Sequence, residues 1–534
     1  MPSHSKQRRK DMKNLDIDAM VKDLGTKIHN DFDTTWYVED FLDGYLKAHC
    51  IEDEDDMTEE NWKEFYNTYA LDLGLYTHAL YDYAHFRMAD CSMFKDTPLS
   101  LLSDHFDLYL IILSPLVYVF GTYTLLIVQM VAVLLGGWGI YKLIGLYTDD
   151  DWLPVLATAC FLFSFGIIHP IAFDYHSNVL STMMLPWILY YIKRERMALA
   201  TLFVVLFVIG KENMSLWLFF IAIGLMWDYR KNRKIVLYLG GYAVFSLLYF
   251  FIINMIVMPK LGGSGGGFYR YEYLGGNYVE IAQNLLTHPK LALKLLFTST
   301  ISPVELQAIE GGLNPLTAIT IANPEYAGIK EEFYYCILAT GLVFTLLKPN
   351  YLFMLLPLLG QKMLACQPNF WGISFHYSVE FISVIITASF IVFSKLKTKW
   401  LRTALSSALL LSVVLTTFYT IGVPKSLIVV DHLCVYQSRH YRQDRFDADY
   451  ARQLMEMIPE DAYVCATSMF VPQLSLRDRI EELEDTKNTK AEYVLLTEHY
   501  FGFLRNGELM FGNRDDFETV ATDGNVFLLR RKQP

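Results

Sequence analysis

The sequence contains few charged residues for its length. Only 19% of its 534 residues are Asp, Glu, Lys or Arg, while 53% are hydrophobic and 15% are aromatic. A soluble protein of this size carries more charge, so the composition predicts a polytopic membrane protein. The formal net charge is −12, and a chain without a basic face is not expected to bind nucleic acid.

Several common functional motifs are absent as well. The seven cysteines form no CxxC pair and no Cys/His cluster, which argues against a structural zinc site. No apolar run follows the basic residues 1–13, so the start of the chain is not a secretory signal peptide. No HExxH, Ser-His-Asp or nucleotide-binding pattern occurs. Four cysteines lie in polar regions and could pair outside the cytoplasm: Cys50, Cys91, Cys434 and Cys465.

Long apolar segments occupy the middle of the chain. A membrane helix needs roughly 20 apolar residues, and ten segments are predicted as spans although several are shorter. Residues 108–120 contain Pro115 and are too short for a span, so an interfacial or re-entrant helix is predicted there. The ten segments are residues 122–146, 152–169, 178–193, 197–210, 214–228, 234–258, 332–347, 351–366, 376–394 and 401–423.

The distribution of basic residues predicts the topology. Cytoplasmic loops of membrane proteins are enriched in Lys and Arg, and such clusters occur here at alternate loops. We therefore expect a protein integral to the cytoplasmic (inner) membrane with its C-terminal region outside. Ten spans also place the N-terminus outside, whereas an eleventh at residues 108–120 would place it inside, and the sequence leaves both open. The basic clusters are Lys193–Arg196, Arg230–Lys234, Lys348 and Lys395–Arg402.

The chain divides into three regions. Residues 1–68 are polar and acidic, and residues 69–423 form the membrane domain with a long outer loop at 259–331. Residues 424–534 are charged and contain short β-like runs, which predicts a small extracytoplasmic α/β domain. These runs lie at 463–466, 493–496 and 526–530.

Ionisable residues adjoin the apolar segments at the predicted outer loops. Such groups are costly beside hydrocarbon unless they face a partner, a cavity or water. His376 and Glu380 are four residues apart and are expected to share a helical face. Each residue also has a structural interpretation, as a helix cap for Asp72 or as an interfacial anchor. The candidates are Asp72, His105, Asp174, His176, Lys211, Glu212, Arg270 and His376. Carboxylates in such a set could deprotonate a hydroxyl, while Arg and Lys could hold phosphate oxygens.

Short motifs resemble an uncharacterised family of bacterial and archaeal membrane proteins, domain of unknown function 2079. The resemblance covers roughly residues 69–500. Its motifs are Leu71-Asp72-Leu73-Gly74-Leu75-Tyr76, His105-Phe106, Ser114-Pro115-Leu116-Val117-Tyr118, Phe173-Asp174-Tyr175-His176, Lys211-Glu212, Arg270-Tyr271, His376-Tyr377, Ile458-Pro459-Glu460-Asp461-Ala462 and Pro472-Gln473-Leu474-Ser475-Leu476-Arg477.

The layout of that family is similar to the class C glycosyltransferases, which use polyprenyl-phosphate sugars at the outer membrane face. The resemblance implies a polytopic α-helical membrane protein with a class C glycosyltransferase-like core of about 10–11 spans. By the same resemblance Asp72 is the catalytic base for an acceptor hydroxyl. The acceptor itself, a glycan, a lipid or a protein, is not identified. The implied substrate-binding residues are His105, Lys211 and Arg270 for the lipid phosphate, Asp174 and His176 in support, and Glu212, Tyr271, His376 and Tyr377 beside them.

Two features leave alternatives open. Members of the family usually carry a transmembrane helix before the Asp-Leu-Gly motif, whereas residues 20–68 here are polar, so the side on which Asp72 lies is open. A transporter or lipid flippase, in which the charged groups line a pathway, is the alternative function. A role as a non-catalytic envelope assembly protein is a further alternative. Aspartate pairs can hold Mg²⁺ or Mn²⁺, but no pair lies close enough in sequence to identify a metal cofactor.

Overall fold

The computed structural model describes residues 70–89, 93, 100–262, 268–300, 326–373, 375–422, 447–483, 489–497, 504–505, 508–509 and 516–532. The predictions made for residues 1–68 and for Cys50, Cys91 and Cys434 lie outside these residues. Cys465, the remaining cysteine of that set, is buried.

Helices form most of the described membrane region, because a backbone surrounded by hydrocarbon must satisfy its hydrogen bonds within the segment. Each segment predicted as a span contains a helix with similar bounds. The helices are α1 (Ala70–Ala84), α2 (Tyr109–Leu113), α3 (Val117–Phe120), α4 (Thr124–Ile144), α5 (Trp152–Leu162), α6 (Phe165–Ala172), α7 (Ser177–Lys193), α8 (Met197–Val208), α9 (Glu212–Tyr229), α10 (Arg233–Ile252), α11 (Met258–Lys260), α12 (Tyr278–Thr287), α13 (Pro289–Phe297), α14 (Ile329–Ile337), α15 (Val343–Thr345), α16 (Pro349–Met363), α17 (Val379–Ser394) and α18 (Lys399–Gly422).

Three helical stretches among the described residues are long and apolar enough to cross a membrane. They are Tyr109–Ile144, Arg233–Lys260 and Lys399–Ile421. Helices α5 and α6 make a fourth if they count as one span bent by 46°. The other helices of the bundle do not meet the same criteria of length and composition, so the number of about 10–11 spans stays a prediction.

The predicted interfacial segment, residues 108–120, is a series of short helices that leads into α4. Gly121, with a φ of +56°, interrupts the series just before α4. The stretch Tyr109–Ile144, from the first of these short helices to the end of α4, has 36 residues. At 1.5 Å per residue, a helix of this length would measure about 54 Å, whereas the hydrocarbon core is roughly 30 Å thick. The stretch is therefore longer than a bilayer-spanning helix needs to be, and Tyr118 and Val119 in its first part are exposed.

The basic loops meet at one end of the helical bundle. Lys348 Nζ donates to Asp228 Oδ2 at 2.8 Å, and Arg402 Nη2 donates to Asp150 Oδ2 at 2.9 Å. These contacts join the loops that follow α4, α9, α15 and α17. Helices α7 and α9 both begin at the other end of the bundle, where the predicted outer loops lie.

The C-terminal residues form a five-stranded mixed sheet with the strand order β2-β1-β3-β7-β6. Strands β1, β2 and β3 are parallel, while β7 is antiparallel to both β3 and β6. The predicted β-like runs coincide with β1, β3 and β7, so the small C-terminal sheet is confirmed. The elements are α19 (Ala448–Glu456), β1 (Val464–Ala466), α20 (Val471–Leu474), β2 (Ile480–Glu482), β3 (Tyr493–Thr497), a hairpin of β4 (Leu504–Arg505) and β5 (Glu508–Leu509), β6 (Phe517–Thr522) and β7 (Val526–Arg531).

Helix α1 is packed between this C-terminal region and the membrane bundle. A Cβ atom at Gly74 would lie 2.8 Å from Val471 Cγ1, so glycine allows α20 to approach α1 closely. On the bundle side, the ring of Tyr76 lies 5.7 Å from the ring of Tyr175, edge to face. The helix that carries the Asp-Leu-Gly motif thus contacts both parts of the protein.

Candidate functional site

Four loops at the end of the bundle opposite the basic loops lie against one another. They are residues 104–108, 173–176, 209–211 and 375–378, and together they are called the corner site here. The loops join α1 to α2, α6 to α7, α8 to α9 and α16 to α17. Most of the predicted site residues lie on these loops.

His105 and Lys211 lie on two of these loops, which run side by side. The Leu108 N–H donates to the Ile209 carbonyl at 2.9 Å and fixes their spacing. Lys211 Nζ is 3.3 Å from His105 Nε2, and His105 Nδ1 is 3.8 Å from Glu212 Oε1. Three predicted site residues therefore form a row of ammonium, imidazole and carboxylate groups.

Gly210 makes this arrangement sterically feasible. A Cβ atom at this position would clash with Ser181 Oγ and would lie 2.5 Å from a ring carbon of Tyr109. The loop that presents Lys211 therefore packs directly against α2 and α7, and a side chain at residue 210 would push it away.

Asp107, next to His105, is a buried carboxyl group with a relative exposure of 1%. Its two oxygens accept hydrogen bonds from the Tyr175 hydroxyl at 3.0 Å and from the Tyr109 N–H at 2.9 Å. Burial raises the pKa of Asp107 to about 7, although both hydrogen bonds act in the opposite direction. Asp107 thereby links two corner-site loops and titrates near neutral pH.

His176 and His376 stack on each other across two loops. Their ring centroids are 3.6 Å apart and the planes are inclined by 26°. The His176 N–H donates to Gln129 Oε1 at 2.9 Å, and His176 Nδ1 is 3.1 Å from the Asp174 carbonyl oxygen. The stacked rings hold the loop before α7 against the turn before α17.

Positive charge is concentrated around His376. Lys211, Lys362, His105 and His176 all lie close enough for their charges to act on it. His376 is 6% exposed, and its Nδ1 atom has no hydrogen-bond partner among the described residues. An anionic ligand at this position would reduce the repulsion and could hydrogen-bond to the imidazole.

The expectation that His376 and Glu380 share a helical face is wrong. Helix α17 begins at Val379, and His376 belongs to the preceding turn. Phe375 in that turn has a φ of +56°, a left-handed conformation that is unusual for a bulky residue and is typical of functional sites. The turn separates the two side chains: His376 stacks on His176, and Glu380 faces another partner.

That partner is Lys362, near the end of α16. Lys362 Nζ donates to Glu380 Oε2 at 2.5 Å and also to the Tyr377 carbonyl. Asn178 Nδ2 donates to the other carboxylate oxygen of Glu380 at 2.9 Å. Lys362 is 6% exposed and Glu380 1%, so the ion pair is buried at the base of the corner site.

Arg270 and Tyr271 attach the outer loop to the rim of the corner site. Arg270 Nε donates to Gln367 Oε1 at 3.0 Å, and its guanidinium lies 4.9 Å from the centre of the Phe370 ring. Phe370 in turn packs on Tyr377, with ring centroids 4.6 Å apart. The Tyr271 hydroxyl donates to a main-chain carbonyl of α16 at 2.5 Å.

Asp72 lies in α1, and its side chain is outside the described part of the structure. Helix α1 already includes Ala70, so the interpretation of Asp72 as the N-terminal cap is wrong. Tyr76, one turn further along α1, packs on Tyr175, which donates to Asp107. By backbone position Asp72 is therefore one helical turn from a contact with the corner site.

An apolar groove approaches the same region from the lipid-facing surface. Its volume is about 500 Å³, and its lining is almost entirely hydrocarbon. Tyr335 and Leu356 at its surface are exposed, whereas Phe381 at its inner wall is fully buried. The Phe381 ring centre lies 5.3 Å from Lys362 Nζ, so the Phe381 ring separates the inner end of the groove from the buried ion pair.

A family model matches residues 65–321 and 312–502 and is described as a predicted membrane protein, domain of unknown function 2079 (DUF2079). The chain belongs to this family. The resemblance inferred from the motifs is thus confirmed over most of the chain. No curated protein matches the sequence.

Two solved membrane structures are similar to this DUF2079 protein at low sequence identity. ArnT from Cupriavidus metallidurans bound to undecaprenyl phosphate aligns with 9% identity and a TM-score of 0.44, covering 93% of this chain and 97% of that chain. The archaeal oligosaccharyltransferase AglB from Archaeoglobus fulgidus, in complex with an inhibitory peptide and a dolichol-phosphate, aligns with 11% identity and a TM-score of 0.34, covering 93% of this chain and 74% of that chain.

Sequence reasoning missed several polar residues that support the site. Lys362, Gln129 and Asn178 each sit inside or at the end of an apolar segment, and a single polar residue in such a segment is the signal that could have found them. Asp107 directly precedes α2, where an aspartate commonly caps a helix. Among the described residues no group of three or more His, Cys, Asp or Glu side chains is placed to hold a metal ion.

Proposed function

We propose that this DUF2079 protein is a membrane glycosyltransferase that moves a sugar from a polyprenyl-phosphate donor to an acceptor on the extracytoplasmic face. The observation that carries the proposal is that basic side chains, Lys211 among them, lie together behind the inner wall of an apolar groove. A polyprenyl phosphate has this combination of parts, a long hydrocarbon chain and an anionic head.

The groove and the positive groups share one helix. On α16, Leu355, Leu359 and Lys362 follow one another at intervals of four and three residues, which places them on one face. The two leucines line the groove, and Lys362 comes one turn later, at its inner end. A chain that enters from the membrane would therefore carry its phosphate towards the corner site.

The phosphate would lie among His105, Lys211 and Arg270, with the stacked His376 beside it. Charge-assisted hydrogen bonds to phosphate oxygens are stronger than neutral ones. The ammonium of Lys362 is already neutralised by Glu380 at 2.5 Å, so we assign Lys362 to the support of the site. In the described part of the chain, the hydrogen-bond partner of Lys211 Nζ is the His105 imidazole, which leaves the ammonium able to bind phosphate.

In the proposed reaction the Asp72 carboxylate accepts the proton of the acceptor hydroxyl. The acceptor oxygen attacks the anomeric carbon of the sugar and forms the new glycosidic bond with inversion. The bond between that carbon and the phosphate oxygen breaks, and its electron pair leaves with the polyprenyl phosphate. The positive groups of the corner site stabilise this charge as it develops.

The first test is binding of undecaprenyl phosphate to the protein in nanodiscs, measured by native mass spectrometry. Loss of one charge-assisted contact costs about 1.5–3 kcal/mol, so Lys211→Met should weaken binding by about 10- to 150-fold. Lys348→Met is the matched control, since it removes a lysine paired with an acid at the opposite end of the bundle. It should leave binding unchanged.

The second test is transfer from a panel of polyprenyl-phosphate sugars in membranes that contain the protein. Asp72→Asn should abolish transfer, by at least a hundredfold, while it retains undecaprenyl phosphate binding. If neither the native protein nor the variants bind the lipid better than phosphatidic acid, the proposal fails. If the lipid binds and Asp72→Asn transfers sugar normally, the base assignment alone is wrong.

A lipid flippase is the second candidate, because a row of buried hydroxyl groups leads away from the corner site. Thr182 lies on α7, and Ser383 and Thr387 lie on α17, at the helical spacing of Asn178 and Glu380. All three are buried, and none of the three hydroxyls has a hydrogen-bond partner in the part of the chain that is described. Unpaired hydroxyls of this kind are commonly hydrated.

Reconstituted vesicles separate the two functions. A flippase would move a fluorescent polyprenyl phosphate between leaflets without any sugar acceptor, and Ser383→Val with Thr387→Val would slow that movement. A transferase would show no movement between leaflets above that of empty vesicles, and the same double variant would retain transfer.

A further inference from the structure

The outer loop contains a helical hairpin with apolar residues on both of its faces. The hairpin consists of α12 and α13, which are joined at His288. On its inner face, Ile281, Leu285, Leu291 and Leu296 pack against the core of the membrane bundle. This face explains how the hairpin is held on the protein.

The outer face of the hairpin is also apolar, and it is exposed. Val279 and Leu286 on α12 are 66% and 80% exposed, and Leu293 and Phe297 on α13 are 57% and 49% exposed. Val279 and Leu286 are seven residues apart on α12, and Leu293 and Phe297 are four residues apart on α13, so each helix carries an apolar stripe on its exposed side. Scattered apolar side chains are normal on a water-exposed surface, but a stripe of this kind indicates a binding surface.

The position of the hairpin identifies what covers this stripe. Phe297, its last residue, also lines the apolar groove, together with Tyr335 and Leu338. Tyr335 and Leu338 are exposed on α14 and on the turn after it, in the predicted membrane region. The stripe is therefore continuous with the lipid-facing surface of the bundle.

The charges on the hairpin fit the same location. Lys290 and Lys294 lie on α13, one turn apart, and Lys294 immediately follows Leu293. Lysine side chains near a membrane surface extend their ammonium groups towards the phosphates while their methylene groups stay in the apolar layer. Amphipathic helices with apolar and basic residues in this arrangement lie in the plane of the bilayer interface.

We infer that the hairpin is inserted in the bilayer interface, with its outer stripe in the region between headgroups and acyl chains. In this position it forms one side of the groove mouth and fixes that mouth at the depth of the lipid headgroups. The inference does not depend on the proposed glycosyltransferase activity.

The test measures accessibility of single spin labels by electron paramagnetic resonance in nanodiscs. The seven native cysteines are first replaced, and a nitroxide is attached at Leu286→Cys or at Val279→Cys. Leu411→Cys on the membrane helix α18 is the bilayer control, and Asn525→Cys beside β7 is the aqueous control. The labels are compared for collision with oxygen, which partitions into lipid, and with a water-soluble nickel chelate.

Labels at Leu286 and Val279 should collide more with oxygen than with the nickel chelate, as at Leu411 and opposite to Asn525. Equal or greater collision with nickel, as at Asn525, would show that the hairpin is in water and would overturn the inference. Low collision with both reagents would show that protein covers the stripe, a second copy of the chain for example, and would overturn it as well. Because the readout is independent of sugar transfer, its failure and that of the proposed function are separate results.

Discussion

Removal of Lys362 should destabilise the protein far more than removal of any lysine at the other end of the bundle. Lys362→Met leaves the Glu380 carboxylate, which is 1% exposed, with Asn178 as its remaining hydrogen-bond donor among the described residues. Breaking a buried ion pair from one side costs about 3–5 kcal/mol, because an uncompensated charge stays in a poorly solvated environment.

A double-mutant cycle of Lys362 and Glu380 gives the coupling free energy between the two side chains. Glu380→Gln should cost a similar amount, since the glutamine amide can accept a hydrogen bond but no carboxylate then neutralises the buried Lys362 ammonium. The double variant Lys362→Met with Glu380→Gln removes both charges, so its cost should be smaller than the sum of the single variants by several kcal/mol, on the order of 3 or more.

The assay is equilibrium unfolding in mixed detergent micelles, followed by tryptophan fluorescence. Lys348→Met and Asp228→Asn form the control cycle at the other end of the bundle. The Lys348–Asp228 pair is 2.8 Å apart, but the Asp228 side chain is 28% exposed, so its single variants should cost about 1 kcal/mol. Equal losses for Lys362→Met and Lys348→Met, or additive losses for Lys362 and Glu380, would refute the reasoning.

Three further predictions concern other parts of the protein. The folded Asp107 keeps its proton between pH 3.8 and about 7, where the unfolded carboxyl has lost it, so the free energy of unfolding should fall as pH rises through this range. Asp107→Asn should reduce that slope in unfolding titrations at several pH values, and an unchanged slope would contradict the pKa. Gly210→Ala should destabilise by about 1–3 kcal/mol through overpacking, whereas Gly241→Ala, which meets no atom within 4 Å, should be neutral or stabilising in thermal scans. Asp478→Ala removes an ion pair with Arg87 in which the Asp478 and Arg87 side chains are 63% and 43% exposed, so a loss above about 1 kcal/mol in the free energy of unfolding would be unexpected.

The helices and the C-terminal strands could be predicted because their signals are local. An apolar segment in hydrocarbon has to close its own hydrogen bonds, so residues such as Gln129 and Trp217 are in helices whatever their neighbours do. Strands β1, β3 and β7 are short runs of apolar and β-branched residues between polar loops, which is also a local pattern. The number of spans was not fixed in this way, because several helices are shorter than a bilayer and their depth depends on the helices around them.

The sequence also predicted that charged residues would lie near the ends of helices. The family motifs identified His105, Lys211 and His376 as candidate site residues. It could not predict which groups pair. Glu380 lies four residues after His376, yet α17 begins only at Val379, and Glu380 pairs with Lys362 instead. Such a pairing depends on the packing of α16 against α17, which no spacing within either segment encodes.

The sequence by itself determined what each segment is: apolar and helical, or polar and near a helix end, with the residue types needed to bind a phosphate. The tertiary structure decided which of these ends meet, because loops distant in sequence come together only when their helices pack. It alone places Asp107 under Tyr175, His176 against His376, and Lys362 at the inner end of an apolar groove. Local patterns follow from the preference of each side chain for water or lipid, whereas a site is a property of the distances between segments.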